Sequence, residues 1–221
     1  MVELSHIAVT YGTKKNPTPA LKDVTVTFRK DEIVSVMGKS GSGKTTLLKV
    51  IGGLLVPTAG KCLISGDDLY KLSADQRCVF RRDKIGFIFQ SCDLVPELTV
   101  YENIVLPLLL AKRDFTEESV LSLCRELGIE GLVDRLPEEI SGGEGQRTAI
   151  ARAVICEPEV LLCDEPTGNL DRQNTEAILA LLTKIRSLTH AAIVVVTHDP
   201  EVAAIADRRL IMADGRIEER P

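Results

Sequence analysis

The chain has 221 residues, of which 44% are hydrophobic, so it is long enough for one large domain or two small ones. A formal net charge of -5 and a pI near 5.4 argue against a nucleic acid as the main partner. Six cysteines show neither a C-x-x-C pair nor histidines at zinc spacing, which favours free thiols in a reducing cytosol. The N-terminus carries no leader pattern, and the longest apolar runs, at residues 104–111 and 191–196, are too short for a membrane span. We therefore expect a soluble protein that reaches a membrane only through another chain.

The first part of the chain is expected to be rich in strands, with antiparallel hairpin character. A polar turn is predicted at residues 14–17, between the first two strands. The predicted elements are, in order, strands at 2–9, 24–28 and 33–37, a helix at 45–51, a strand at 62–64, a helix at 75–83 and a strand at 85–89.

From residue 99 to about residue 154 the patterns are helical and predict no strand. A very apolar helix over residues 99–110 is expected to be interrupted at Pro107, and an amphipathic helix follows at 116–127. After Pro158 we predict strands at 160–163, 193–197 and 210–212, helices at 175–187 and 200–206, and a final turn at Gly215. Strands that alternate with helices imply an α/β fold, in which a parallel sheet is covered on both faces and binds ligands at the carboxyl ends of its strands.

Residues 38–45 match the phosphate-binding pattern G-x-x-x-x-G-K-[ST], between a predicted strand and a predicted helix. The loop consists of Gly38, Lys39, Ser40, Gly41, Ser42, Gly43, Lys44 and Thr45, and Thr46 follows it. The glycines allow close backbone approach, Lys44 suits the β- and γ-phosphates of a nucleotide, and the Thr45 hydroxyl suits Mg²⁺. A flexible Gly/Ser linker is the alternative, but it does not account for the flanking strand and helix. The stretch therefore predicts nucleotide phosphate binding.

Polar side chains follow three other predicted strands. Asp164 and Glu165 end an apolar strand, where Asp164 suits the outer ligand sphere of Mg²⁺ and Glu165 suits polarising the attacking water. Acidic turns are common, so this assignment depends on the phosphate loop at the same sheet edge. We expect His198 to contact the γ-phosphate, although a lone histidine is usually structural. Gln90 either reaches Mg²⁺ and water or is an ordinary strand end, and the residues leave both alternatives open.

A glycine-rich stretch opens the predicted helix that ends near residue 154. Ser141 and Glu144 have the spacing of a capping box, which explains how the helix begins. It does not explain Gly142, Gly143 and Gly145, because glycines in a first turn cost about 1 kcal/mol each relative to alanine. The stretch favours a second phosphate-binding site, where backbone N–H groups lie close to an anion.

In their order along the chain, and together with Asn169, Leu170 and Asp171, these motifs resemble an ABC-type ATPase domain over the whole chain. Residues 20–24, 106–108, 164–171 and 196–199 are similar to the lipoprotein-releasing, macrolide-export and cell-division members of that family (LolD, MacB and FtsE). The resemblance implies a P-loop NTPase fold with a RecA-like parallel-sheet core, an N-terminal antiparallel β subdomain and an inserted helical subdomain. Residues 1–93 and 157–221 would form the β subdomain and core of a single domain, and residues 94–156 the helical subdomain.

The resemblance also implies ATP and Mg²⁺ as cofactors and assigns roles within this sequence. Catalytic roles fall to Glu165, His198, Gln90 and Lys44, metal contacts to Thr45, Gln90 and Asp164, and nucleotide contacts to Tyr11, to residues 38–46, and to Ser141, Gly142, Gly143, Glu144 and Asp171. Tyr11 would stack on adenine, although an ordinary tyrosine at a strand end is the alternative. Two copies would sandwich two ATP molecules head to tail, and Asp171 would connect the two sites. Closure would drive an integral membrane permease docked near residues 91–110.

Three functions remain open on these motifs. The first is the ATPase subunit of an export or extrusion complex, peripheral at the cytoplasmic face of the membrane. The second is a regulatory ATPase that controls an extracytoplasmic activity through an FtsX-like membrane partner. The third, a soluble ABC protein acting on DNA or ribosomes, is disfavoured because the chain has no long coiled coil, zinc hook, second ATPase half or basic surface signal.

Overall fold

The computed structural model describes residues 1–13 and 16–219, which form two sheets with helices packed around them. The strands are β1 (Val2–Thr13), β2 (Asn16–Phe28), β3 (Ile33–Met37), β4 (Ala59–Ile64), β5 (Asp67–Asp68), β6 (Ile85–Phe89), β7 (Val160–Asp164), β8 (Ala192–Thr197), β9 (Arg208–Ala213) and β10 (Arg216–Glu219). The helices are α1 (Lys44–Ile51), α2 (Ala74–Lys84), α3 (Val100–Ala111), α4 (Glu117–Glu126), α5 (Gly142–Val154), α6 (Arg172–Thr189) and α7 (Pro200–Ala204). Within the described ranges, no helix is both long and apolar enough to cross a bilayer.

The larger sheet has the strand order β10-β9-β3-β8-β7-β6, and only the edge strand β10 runs antiparallel to its neighbour. The register pairs Asp164 of β7 with Phe89 of β6 and with Val196 of β8. The carboxyl ends of these strands therefore lie side by side, and the polar residues that follow them meet at one edge. The predicted α/β fold with a parallel-sheet core is confirmed.

Both faces of this sheet are covered, as predicted for a parallel sheet. Successive residues of β8 point to opposite faces, so Val194 and Val196 join the core formed with α1 and the smaller sheet. Ile193 and Val195 join a second core, formed with α3, α4, α5 and α6. Cys163 is fully buried in that second core, and burial raises the pKa of its thiol well above the usual value, as expected for a small buried residue.

The smaller sheet has the order β2-β1-β4-β5, with antiparallel pairing throughout, as predicted for the N-terminal part. Asn16 and Pro17, expected in a turn, lie instead in β2, where Pro17 pairs with Gly12. Proline is tolerated here because β2 is an edge strand that does not need every N–H donor. Lys14 and Lys15, the other residues of that expected turn, lie outside the described residues.

The segment between β6 and β7 is helical, as predicted. It contains α3, α4 and α5 and two short 3₁₀ turns, at Glu130–Leu132 and Pro137–Glu139. The expected interruption at Pro107 is wrong, because α3 continues through it to Ala111. Proline removes one backbone donor, but burial of Ile104 and Leu108 against the core holds the helix together on both sides of it. The subdomain boundaries at residues 94 and 156 stay a prediction.

Several element ends differ from the predicted ones. Helix α6 begins at Arg172, three residues early, because the Asp171 carboxylate accepts a hydrogen bond from the Asn174 backbone N–H and caps the helix. Helix α7 ends at Ala204 rather than at residue 206. The expected turn at Gly215, where φ is +78°, is confirmed, but strand β10 after it was not predicted. Strand β5, only two residues long, was also missed.

Candidate functional site

A cleft of about 730 Å³ opens at the carboxyl ends of the parallel strands. Its lining consists of Tyr11, Ala20, Gly38, Lys39, Ser40, Gly41, Gly43, Lys44, Thr45, Thr46, Gln90, Asp164, Glu165 and His198. All of the residues from the predicted phosphate loop line it except Ser42, which is buried. The fold thus brings together side chains that are up to 187 positions apart in the printed sequence, from Tyr11 to His198.

The phosphate loop connects β3 to α1, and its backbone packs closely against the backbones of Ala20 and Met212. A Cβ added to Gly38 would lie 2.3 Å from the Met212 carbonyl oxygen, and one added to Gly43 would lie 2.6 Å from that of Ala20. Gly43 also has a φ of +110°, so both steric space and dihedral angle require glycine. In the described part of the chain no side chain caps α1, which leaves the first N–H groups of this helix to an anion.

Lys44 is, with Lys39, one of the two positively charged residues of the loop. Its Nζ donates to the carbonyl oxygens of Gly38, at 2.7 Å, and of Lys39, at 3.2 Å. The ammonium is therefore held across the loop, at the place where the phosphates of a nucleotide would lie.

Thr45 and Asp164 bring two oxygen donors together from α1 and β7. The Thr45 hydroxyl lies 3.4 Å from Asp164 Oδ1. Burial raises the pKa of Asp164 above its usual value, with a smaller contribution from the nearby Glu165 charge, and the bond from Thr45 opposes this shift. Mg²⁺ prefers oxygen ligands, and a hydroxyl beside a carboxylate supplies only oxygen atoms. These residues therefore fit the metal that the sequence predicted.

Gln90 follows β6 and lines the same cleft. Its Nε2 donates to Asn169 Oδ1 at 2.9 Å, and Asn169 Nδ2 donates back to the Gln90 carbonyl oxygen at 3.2 Å. A Cβ on Gly168 would lie 2.7 Å from Gln90 Nε2, so the glycine makes room for this pair. Asn169 belongs to the stretch that carried the family resemblance, but its pairing with Gln90 was not predicted, because an asparagine in a loop offers no local sign of its distant partner.

Tyr11 lies at the rim of the cleft, next to α1. Its hydroxyl is 3.3 Å from Thr46 Oγ1, and the residue is 41% exposed. An exposed aromatic ring beside the phosphate loop fits the predicted adenine contact, which stays a prediction.

Glu165 and His198 face each other within the cleft. His198 Nδ1 lies 2.9 Å from Glu165 Oε1, while the Thr197 hydroxyl donates to Glu165 Oε2 at 3.2 Å. The hydrogen bond from Glu165 and its negative charge raise the pKa of His198 above the usual value. The carboxylate is thus oriented from both sides, and such a group is able to accept a proton from water. Thr197 was not among the predicted site residues.

The glycine-rich stretch lies elsewhere on the molecule, at the start of α5. In the part of the chain that the structure describes, the cleft lining contains none of its residues. The capping box is confirmed, since the Ser141 hydroxyl accepts from the Glu144 N–H and the Glu144 carboxylate accepts from the Ser141 N–H. These bonds from Ser141 hold the pKa of Glu144 below its usual value.

The glycines of α5 have different steric surroundings. A Cβ on Gly143 would lie only 2.2 Å from Asn174 Oδ1, so packing against α6 accounts for this glycine without an anion. A Cβ on Gly142 would meet only Leu170 Cδ2, at an ordinary 3.8 Å, and packing gives no reason for that glycine. Asp171 lies close by, because Asn174 Nδ2 donates to Asp171 Oδ2 at 2.9 Å.

Comparison with known proteins agrees with this arrangement. A family model described as ABC transporter matches residues 21–168. The chain is 40% identical to the ABC transporter ATP-binding protein YtrE of Bacillus subtilis (strain 168), over 97% of this chain and 96% of that protein. It is 39% identical to the lipoprotein-releasing system ATP-binding protein LolD of Shewanella oneidensis, over 99% of this chain and 96% of that protein.

Solved structures extend the comparison to the fold. The dimeric structure of MJ0796, a bacterial ABC transporter cassette, has a TM-score of 0.90 and 38% identity, and the match covers both chains in full. A post-hydrolysis state of the same cassette, bound to ADP and Pi, matches with the same values. Sequence, fold and the phosphate cleft therefore agree, and the chain belongs to the ABC transporter family as an ATP-binding, ATP-hydrolysing member.

Proposed function

We propose that two copies of this chain close head to tail around two ATP molecules and thereby drive an integral membrane partner. One observation carries the proposal: the cleft of one chain gathers the phosphate loop, Glu165 and His198, whereas Ser141 and Gly142 are exposed outside its lining. A phosphate-binding helix start that cannot serve its own cleft is suited to the cleft of a second copy. The dimeric cassette of MJ0796 supports this arrangement.

Within each cleft, the residues divide the work of phosphoryl transfer. Lys44 stabilises charge on the β- and γ-phosphates, and Tyr11 stacks on the adenine. Mg²⁺, held by Thr45 and Gln90 with Asp164 in its outer ligand sphere, would neutralise charge that develops on the phosphate oxygens.

Glu165 acts as the general base. Its carboxylate is oriented by Thr197 and His198, so it accepts a proton from the attacking water without first reorienting. His198 holds the γ-phosphate at the same time. From the second copy, the N–H groups of Gly142 and Gly143, next to Ser141, approach that phosphate from the opposite side. Glu144 lies next to the nucleotide, and Asp171 connects the two sites.

A groove between β6 and α3 is the proposed docking surface for the membrane partner. Phe89, Leu106, Pro107 and Leu110 line this groove, which has a volume of about 270 Å³. Leu110 is 63% exposed, although leucine is usually buried, and an exposed apolar surface beside a groove is typical of an interaction site. The groove overlaps residues 91–110, so we place the docked permease here and the chain at the cytoplasmic face of the membrane.

Changing Glu165 to Gln tests the proposal in the isolated chain. Loss of the base should lower ATP turnover by a factor of about 1,000, while ATP binding persists and the closed dimer accumulates. Turnover by phosphate release and dimer formation by light scattering with ATP are the measurements. Glu218→Gln, on the exposed face of β10, is the matched control and should behave as the unchanged chain. Near-normal turnover in Glu165→Gln, or a chain that stays monomeric with ATP, contradicts the proposal.

Purification from membranes under mild detergent tests the second half of the proposal. A co-purifying membrane protein with a cavity for cargo supports the transport function. A partner with few helices and a large outer domain supports instead the regulatory ATPase that acts through an FtsX-like protein. If no membrane protein accompanies the chain, the membrane role is wrong.

A further inference from the structure

We infer that Gln146 is a positioning residue that joins the start of α5 to the two loops carrying Gln90 and Glu165. Gln146 lies in the second turn of α5 and is only 1% exposed, which is unusual for a glutamine. The inference rests on the proposed function, because the start of α5 acts there on the ATP of the other copy.

Three hydrogen bonds satisfy the side chain of Gln146. Its Nε2 donates to the carbonyl oxygens of Phe89, at 3.2 Å, and of Pro166, at 2.8 Å. Carbonyl oxygens only accept, so the amide nitrogen must face both of them, and this fixes the orientation of the amide. The remaining oxygen, Oε1, lies 2.8 Å from Cys92 Sγ and accepts from that thiol.

The partners of Gln146 stand next to the hydrolytic residues. The Phe89 carbonyl belongs to the peptide group that leads into Gln90, and Pro166 directly follows Glu165. Cys92 belongs to the same loop as Gln90. The amide of Gln146 therefore fixes the backbone on both sides of the gap that separates Gln90 from Glu165.

A second side chain of α5 forms hydrogen bonds with the loop after Gln90. Arg152 donates to the carbonyl oxygens of Cys92 and Asp93, each at 2.7 Å. Cys92 and Asp93 have φ values of +60° and +47°, a backbone conformation that persists only where contacts impose it. The loop is thus shaped from α5, and a shift of this helix must move the loop with it.

These contacts give Gln146 a specific task in a closed dimer. When the start of α5 binds the ATP of the other copy, a displacement of this helix is transmitted through these hydrogen bonds to the loops that hold Gln90 and Glu165 in its own cleft. Gln146 should therefore set the turnover rate and the cooperativity between the two sites, while the affinity of the phosphate loop for ATP stays as it is.

Gln146→Met tests the inference, because methionine keeps the length of the side chain and removes both donors and the acceptor. In the full-length chain we expect kcat to fall about tenfold and the Hill coefficient for ATP to fall toward one. Binding of a fluorescent ATP analogue should change by less than about twofold, and ATP-driven dimer formation in the Glu165→Gln background should persist. A role in stability alone would instead lower dimer formation and nucleotide binding together with kcat.

Cys92 provides a second pair of variants that does not disturb the two carbonyl contacts. Cys92→Ser keeps a donor for Gln146 Oε1 and Cys92→Ala removes it, so kcat should be about threefold higher for the serine variant. If Gln146→Met does not fold, the comparison of Cys92→Ser with Cys92→Ala tests the inference on its own. Equal kcat in the serine and alanine variants, or a Gln146→Met chain with unchanged kcat, overturns the inference. A Glu165→Gln chain that fails to dimerise with ATP overturns the proposed function instead, so the two failures are distinguishable.

Discussion

Glu165 occupies a backbone conformation that glutamate rarely adopts, with a φ of +48°. A left-handed residue other than glycine costs about 1 to 3 kcal/mol and persists where its surroundings impose it. Here the Glu165 N–H donates to the Val196 carbonyl at 2.9 Å, and Thr197 and His198 hold the side chain. The strain directs the carboxylate into the cleft, so three neighbours on β8 and just after it determine where the proposed base points.

The pair formed by Glu165 and His198 predicts a pH-dependent stability. The pKa of His198 is raised above its usual 6.5, so its contribution is fully present below about pH 6.5 and is lost as pH rises through the raised value. His198→Gln keeps an amide donor that does not titrate. The melting temperature of the unchanged chain, relative to that of His198→Gln, should therefore fall as pH is raised from about 6 to about 9.

Glu165→Gln provides the control for this prediction, since it removes the charge that raises the pKa of His198. In that background, exchanging His198 for Gln should leave almost no pH-dependent difference in melting temperature. A difference of the same size in both backgrounds would mean that another group titrates.

Helix α5 begins with two adjacent glycines whose neighbours differ. Gly143 packs against the side chain of Asn174, whereas Gly142 has ordinary space around it. Stability therefore explains one glycine, and only the proposed contact with ATP explains the other.

Alanine at these two positions should separate stability from activity. Gly142→Ala should raise the free energy of unfolding by up to about 1 kcal/mol, because alanine favours a helix more than glycine does. Gly143→Ala should lower it by about 1 kcal/mol, because the Asn174 amide must move, and the loss of its bond to the Asp171 carboxylate outweighs the gain in helix propensity. Urea denaturation measures both changes.

Activity should not follow stability in this pair. Gly142→Ala places a methyl group where the γ-phosphate of the other copy would approach, so ATP turnover should fall by a factor of about 10 or more despite the gain in stability. A Gly142→Ala chain that is both more stable and fully active would remove the reason for proposing an anion at this helix start.

Much of this architecture follows from local rules in the sequence. The apolar runs predicted the central strands, the glycine spacing predicted the phosphate loop, and the capping box at α5 has counterparts at Ser73 and Gln76 and at Thr99 and Glu102. Residues whose partners are distant in sequence were not predictable in the same way. Asn174 beside Gly143 and the buried amide of Gln146 owe their surroundings to packing between elements, which no short pattern records.

At the scale of the whole molecule, the two phosphate-binding surfaces lie on separate parts of one chain. Lys44 and Glu165 line the cleft, and Gly142 does not. In a head-to-tail pair, a cleft defect in one copy and a Gly142 defect in the other therefore fall in the same composite site and leave the second site complete, whereas cleft defects in both copies disable both sites.

Mixing inactive variants tests this geometry. Lys44→Ala and Gly142→Asp should each be inactive alone, but an equal mixture combined before ATP is added should recover about a quarter of the unchanged activity. Random pairing makes half of the dimers mixed, and each mixed dimer has one complete site out of two. Phosphate release over a range of total protein concentrations is the measurement.

Lys44→Ala mixed with Glu165→Gln is the matched control. Each change disables the cleft of the copy that carries it, so no pairing of these two chains assembles a complete site, and the mixture should stay inactive. Recovery in the control, or none in the Gly142→Asp mixture, would contradict composite sites shared between copies.

The carbonyl contacts of Lys44 have a consequence for the kinetics of nucleotide exchange. Because Gly38 and Lys39 already fix the ammonium, the protein alone keeps this loop in shape and does not have to order it each time a ligand arrives or departs. We therefore expect the association rate of the nucleotide to reflect diffusion into the cleft more than rearrangement of the backbone.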